Sequence, residues 1–175
     1  MCALYSEKRP LRDEELCHAL GVEIGSADLD PENVPALRTL VASRLGPVTL
    51  EAASSTIRLV HFTLKEHLSS DPTLFHNPHL GIADVCLTHL NSEPVRGLSL
   101  TLHSAPLTMP FLEYTSIYWG RHTEREMMGN TKTLALRLLE RFDQHISTQL
   151  LLLHYCYDKI FEEPYYHGTA FLGIV

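Results

Sequence analysis

Positive charge is scarce in this sequence. Fourteen Lys and Arg stand against twenty-one Asp and Glu, a formal net charge of −7. Phosphate neutralisation needs concentrated cations, so a general nucleic-acid binder is disfavoured. Clusters such as Asp13-Glu14-Glu15 would also repel a duplex at close range. Cysteine is equally sparse. Cys2, Cys17, Cys86 and Cys156 are scattered with no CxxC pair, which argues against a zinc ribbon or a thioredoxin-like site. Such usage suits a reducing, cytoplasmic setting. Long apolar runs are missing too. The Leu150 to Leu153 cluster is only four residues long, against the roughly twenty residues a bilayer span requires. The opening Met1 to Leu4 is followed at once by Glu7-Lys8-Arg9, which does not match a secretory leader.

Catalytic signatures are also lacking. No GxxxxGK[ST] loop is there to cradle phosphates, and no GxSxG elbow presents a serine. No cysteine has a local activating context. Glu162 and Glu163 are adjacent and diverge, instead of flanking a substrate. His76 and His79 have HxxH spacing, but no nearby Cys or acid supplies a third ligand, so they read as a solvated loop pair. His61, Glu66 and His67 fit neither HExxH nor HxxEH. The expectations are no catalytic residue, no metal, no cofactor and no enzymatic activity.

What is present is enough apolar material, 45% of residues, to bury a core as one domain or two small ones. Asp13, Glu14 and Glu15 favour the start of a helix in which Leu16, Ala19 and Leu20 form a face and Gly21 is the stop. A turn-rich Asp30 to Pro35 leads to a second helix carrying Leu37, Leu40, Val41 and Leu45, ended by Gly46-Pro47. Val48 to Leu50 and Thr56 to Val60 read as strands joined through the small polar stretch 52–55, with Ile57 and Leu59 on the buried side and Arg58 on the wet one. Thr63 with Glu66 forms a capping-box start to another helix.

Farther on, Asn77-Pro78 opens a helix whose Ala83, Cys86, Leu87 and Leu90 share a face. Residues 91–110 read as a long loop. Pro110 begins a helix carrying Leu112, Ile117, Tyr118 and Trp119, with Tyr114, Tyr118 and Trp119 as packing anchors. Arg121, Glu124, Arg125 and Glu126 read as a solvated face. From Thr131, as a cap, a long helix is predicted with Leu134, Leu138, Phe142, Ile146 and Leu150 at four-residue steps. The predicted fold is therefore mainly α with one β-hairpin: a winged-helix domain over 1–70, a bundle-like helical spacer over 71–160, and a short tail over 161–175.

Several of these segments resemble the region that follows the NACHT module in fungal NLR-like STAND proteins. The run Leu59-Val60-His61-Phe62-Thr63-Leu64-Lys65-Glu66-His67-Leu68 is similar to its winged-helix signature, also labelled the GPI inositol-deacylase type. Arg9-Pro10-Leu11-Arg12-Asp13-Glu14-Glu15-Leu16 matches the opening helix. Residues 82–91, IADVCLTHLN, look like the helix after the winged helix, and Phe111 through His122 like its "LLEYA…YWG.H" helix. His167 to Val175 looks like the start of a first ankyrin repeat, though Pro164-Tyr165-Tyr166 replaces the expected turn and the repeat stops early. One partial repeat cannot bury its own face, so the resemblance implies a truncated product.

The resemblance further implies a regulatory piece that couples a nucleotide-binding NACHT core to an ankyrin sensor, with protein partners and neither nucleic acid nor membrane. It assigns His61 to contact with the β-phosphate of ADP when a NACHT core is present; alone, His61 reads more simply as a strand end bonded to local backbone. Two alternatives accompany this reading. In one, the helix over 36–45 enters a nucleic-acid groove using Arg38 and Arg44. In the other, the reading frame is degenerate and has no activity.

Overall fold

The computed structural model describes residues 9–42, 48–51, 53–59, 63, 66–67, 77–124 and 127–162. Among them the chain is mainly helical with one two-stranded antiparallel hairpin, as the sequence predicts. Helix α1 spans Asp13–Gly21. Its three acidic residues occupy the first turn, where they complement the helix dipole. Glu15 reaches back to accept from the Arg12 backbone N–H at 2.7 Å, which satisfies one of the free donors at the helix start. At the far end Gly21 lies against Val34, and a Cβ there would come within 2.9 Å of the valine Cγ2 and 3.1 Å of its Cα.

A 3₁₀ turn, Pro31–Asn33, capped by the Asp30 carboxylate, leads to α2, Leu37–Ala42. Strands β1, Val48–Glu51, and β2, Thr56–Leu59, pair with Val48 opposite Leu59 and Glu51 opposite Thr56. Ile57 is buried and Arg58 exposed, matching the predicted alternation. Ser55 takes a positive φ of 49° at the turn, and Ser54, Thr56 and Arg58 gather around the Glu51 carboxylate. The hairpin is fastened to the start of α1. Arg12 bridges Thr56, and the Asp13 N–H donates to the Ser55 carbonyl at 2.8 Å. Residues 63, 66 and 67 are helical, in the place predicted for the helix after the hairpin.

Helix α3, Pro78–Asn91, opens with proline in its first turn and the Asn77 side chain accepting from the Leu80 N–H. Its predicted face of Ala83, Cys86, Leu87 and Leu90 is fully buried. The stretch predicted as a continuous loop contains a short helix, α4, Glu93–Arg96. Ser92-Glu93-Pro94 is itself a helix-start pattern, and Val95 is buried beneath it. Helix α5 spans Phe111–Thr123.

The single long helix expected from Thr131 is instead two, α6 over Gly129–Leu139 and α7 over Ile146–Glu162, separated by a 3₁₀ turn at Phe142–Gln144. The break lets the two halves of the apolar stripe reach different partners. Helix α6 packs on α3 and α7 on α5, and Leu134, Leu138, Ile146 and Leu150 all enter one apolar cluster. Thr131 is not the cap. It lies in the first turn of α6, and its hydroxyl donates to Asp84 of α3 at 2.5 Å.

Two apolar clusters result. One gathers Leu87, Leu90, Val95, Leu112, Leu134, Leu138, Ile146 and Leu150. The other gathers Leu11, Leu16, Ala19, Ile57, Ile82, Cys86, Phe111 and Tyr114, and so joins α1 and the hairpin to α3 and α5. Trp119 packs against both. No helix among the described residues is long and apolar enough to cross a membrane.

Candidate functional site

Paired polar groups line the seam where α1 and the hairpin meet α3 and α5. At one end Arg9 grips Glu15 through both guanidinium nitrogens, at 2.7 and 3.0 Å. Its guanidinium carbon also stands 5.5 Å from the Tyr114 ring centre and 5.9 Å from that of Tyr118. Such a bidentate pair over aromatic faces holds its charge firmly. Burial opposes the charge on Arg9, but hydrogen bonding and attraction from Glu15 outweigh it and raise the pKa. Tyr114 is wholly buried and stacks on Phe111, and Tyr118 lies 4.9 Å from it. The predicted anchoring role of these aromatics is what the structure displays.

From Tyr114 the seam continues into histidines. The Tyr114 hydroxyl lies 3.0 Å from His122 Nε2, and His122 Nδ1 lies 3.3 Å from His79 Nδ1. His122 is buried and its pKa is pushed down to about 4, first by burial and then by the neighbouring His79. Helix α5 delivers Tyr114 and His122 to one side because they stand eight residues, about two turns, apart. His79 arrives from the first turn of α3 and stays half-buried.

His89, on α3, is more enclosed. The Thr115 hydroxyl donates to the Leu112 carbonyl at 2.9 Å, so it can only accept from His89 Nδ1–H at 3.4 Å. The other nitrogen, Nε2, is then a bare acceptor, and it has no partner. Burial, with lesser contributions from His18 and His145, pushes its pKa down to about 3.

His145 forms a third knot. Its Nδ1 accepts from the Ser147 backbone N–H at 3.2 Å, which caps the start of α7, and its Nε2–H donates to the Leu90 carbonyl at 3.0 Å. Ser116 donates to the Ser147 hydroxyl at 3.0 Å, and that hydroxyl lies 2.9 Å from His145 Nδ1. A serine beside a histidine suggests nucleophilic catalysis. Here Ser147 and Ser116 are buried, and a backbone carbonyl holds the imidazole's second nitrogen. The network fastens the α6–α7 break to α3 and α5.

Two open grooves lie among the described residues. One, of about 290 Å³, is lined by Asp13, Glu14, Cys17 and His18 on one side and by Val34, Pro35, Leu37, Leu107 and Pro110 on the other. The second, of about 330 Å³, is lined by Glu93, Arg96, Gly97, Arg141, Gln144 and His145. Neither buried thiol is activated. Burial raises the pKa of Cys86, and burial with Asp13 and Glu14 raises that of Cys17.

His61, with its nucleotide-sensing assignment, His76, Arg44, Arg125, Glu126 and the ankyrin-like residues 163–175 lie outside the described residues. Arg38 is exposed on α2, and Arg121 and Glu124 are exposed at the end of α5. His79 is part of the buried seam through His122, and not simply half of a solvated loop pair. Among the described residues no group of three or more His, Cys, Asp or Glu is placed to hold a metal. Sequence reading missed the partnership of His79, His122 and Tyr114. It missed the His145 knot as well, since each joins residues far apart in the chain. The only local hint was histidine recurring on otherwise apolar helix faces. No family model, curated protein or solved structure matches the chain.

Proposed function

We propose that this chain is a non-catalytic regulatory and interaction module of the NACHT type, a winged helix joined to a helical spacer. In a cytoplasmic signalling NTPase it would relay the nucleotide state of the NACHT core to an ankyrin-repeat sensor, through protein contacts alone. One observation carries the reading. Three of the segments that resemble the post-NACHT region interlock in a single seam: Arg9, Leu11 and Glu15 from the first, Ile82, Cys86 and His89 from the second, and Phe111, Tyr114 and His122 from the third.

A seam of buried aromatics and paired charges makes α1, the hairpin, α3 and α5 move together. Close-packed interiors transmit displacement instead of absorbing it. That is the mechanical property a relay requires, and it needs no reacting group. His61 would add nucleotide sensing only when a NACHT core supplies the phosphate cradle.

The test mixes the full chain with an ADP-loaded NACHT core of the resembled family and follows ADP release. Slower release in the presence of the chain, relieved by His61→Ala, is the expected result. Unchanged release, or ATP hydrolysis by the pure chain, overturns the proposal.

A further inference from the structure

We propose that the groove between α4 and the turn joining α6 to α7 binds the phosphate group of a small ester, held by Arg96, Arg141 and Gln144. The chain carries a formal net charge of −7, and the other groove is edged by Asp13 and Glu14. This groove instead gathers two arginines, Arg96 from the end of α4 and Arg141 from the start of the 3₁₀ turn. Among the described residues the ion pairs are Arg9 with Glu15 and Arg58 with Glu51, and neither Arg96 nor Arg141 has one. Glu93 is the acid that lines the groove, and it pairs with neither arginine. Two guanidinium groups around one opening repel each other, and an oxyanion between them replaces that repulsion with attraction.

The donors and their backbone both suit phosphate. A guanidinium fork meets phosphate oxygens two at a time, and the Gln144 amide adds a neutral donor. His145 lines the groove but contributes no donor, because the Leu90 carbonyl and the Ser147 N–H occupy its two nitrogens. It does feel Arg96: burial lowers its pKa, the Leu90 bond raises it, and the Arg96 charge lowers it again. The cation of α4 is therefore felt at the wall to which Arg141 and Gln144 belong. All three donors stand on fixed backbone. Arg96 follows the fully buried Val95, and its N–H donates to the Ser92 carbonyl at 3.0 Å. The Gln144 N–H donates to the Arg141 carbonyl at 3.0 Å across a turn whose Phe142 packs on the apolar cluster around Leu87. The side chains themselves are exposed, so a ligand reaches them from solvent. At about 330 Å³ the groove lies at the small end of the range for small-molecule sites, roughly 300–1,000 Å³. Glu93 opposes the same anion, so its removal tests the sign of the charge the groove prefers.

This site is independent of the relay reading. Bound phosphate ties α4 to the turn between α6 and α7, and a ligand that binds only the folded state stabilises it by mass action.

The experiment is calorimetric titration of the full chain with inorganic phosphate at low, constant ionic strength, where exposed charges are least screened. One phosphate per chain is expected, with a rise in melting temperature that chloride at equal ionic strength does not give. Arg96→Gln and Arg141→Gln should each weaken binding about 10-fold or more, the scale of one hydrogen bond to a charged group. Glu93→Gln should strengthen it about 5-fold, the scale of one unit charge a few ångströms away in water. Arg137→Gln, at an exposed arginine of α6 outside the groove, should leave it unchanged. Far-UV dichroism verifies that each variant is folded. Absence of binding, binding by the Arg96→Gln and Arg141→Gln chains equal to wild type, or an equal loss in Arg137→Gln overturns the site.

Discussion

Lowering the pH from 7 to 5 is expected to destabilise this protein well before its carboxylates titrate. Burial pushes His89 down to about 3 and His122 to about 4, and it lowers His145 as well. An unfolded chain protonates its histidines near pH 6.5. Below that value the unfolded state binds more protons than the folded one, so stability fully present above about 6.5 drains away as the pH falls toward the folded pKa values. Each such histidine contributes a slope of up to about 1.4 kcal/mol per pH unit. For His89 and His122 together the loss between pH 7 and 5 is roughly 4 kcal/mol, a large share of the 5–15 kcal/mol typical of a domain.

Urea titration followed by Trp119 fluorescence reads this directly, since the sole tryptophan touches both apolar clusters. With a denaturant slope of about 2 kcal/mol per molar, the midpoint falls by about 2 M over that range. His89→Leu makes the prediction specific. The imidazole's Nε2 is unpartnered and its Nδ1 contact is long, so at pH 7 the variant is expected to lie within about 1 kcal/mol of wild type. It should lose about half of the pH dependence. A midpoint that stays level from pH 7 to 5, or a variant as pH-sensitive as the parent, would refute the assignment of neutral buried histidines.

Other perturbations test other parts of the seam. Leu11→Ala, at a fully buried position between the hairpin and Tyr114, is expected to cost about 3 kcal/mol in chemical denaturation. Glu15→Ala removes the two bonds that Arg9 makes to the carboxylate and should cost about 1–2 kcal/mol, since Arg9 stays partly open to water. Gly21→Ala forces a Cβ against the Val34 backbone, with an expected loss of about 1–3 kcal/mol in the same assay. Arg38→Ala should leave retention on a DNA column unchanged at every salt concentration, because α2 is only six residues long and carries this one exposed arginine among its described side chains. Salt-dependent retention that the substitution abolishes would favour the nucleic-acid alternative.

Local patterning made most elements legible. The acidic first turn of α1, Asn77-Pro78 before α3 and the alternation around Ile57 each state a local preference that the fold obeys. What could not be read were effects decided by distant partners. The four-residue stripe from Leu134 to Leu150 suits one helix, and the break shows only in the fold, where His145 caps the second helix and reaches the Leu90 carbonyl of α3. Ser92-Glu93-Pro94 was a helix start hidden in a stretch rich in loop residues. The candidate site was less legible still. His79, His89, His122 and His145 look like isolated polar residues in sequence, and their meaning lies in which carbonyl, hydroxyl or ring each one meets.

The claim that α1 and the hairpin are locked to α3 and α5 is tested most directly by native-state hydrogen exchange. The most protected amides of α1, β2, α3 and α5 are predicted to share one opening free energy and to respond equally to low denaturant, as members of a single cooperative unit. If the amides of α1 and β2 instead opened at markedly lower free energy than those of α3 and α5, the two halves would be separate bodies and the relay would have no mechanical basis.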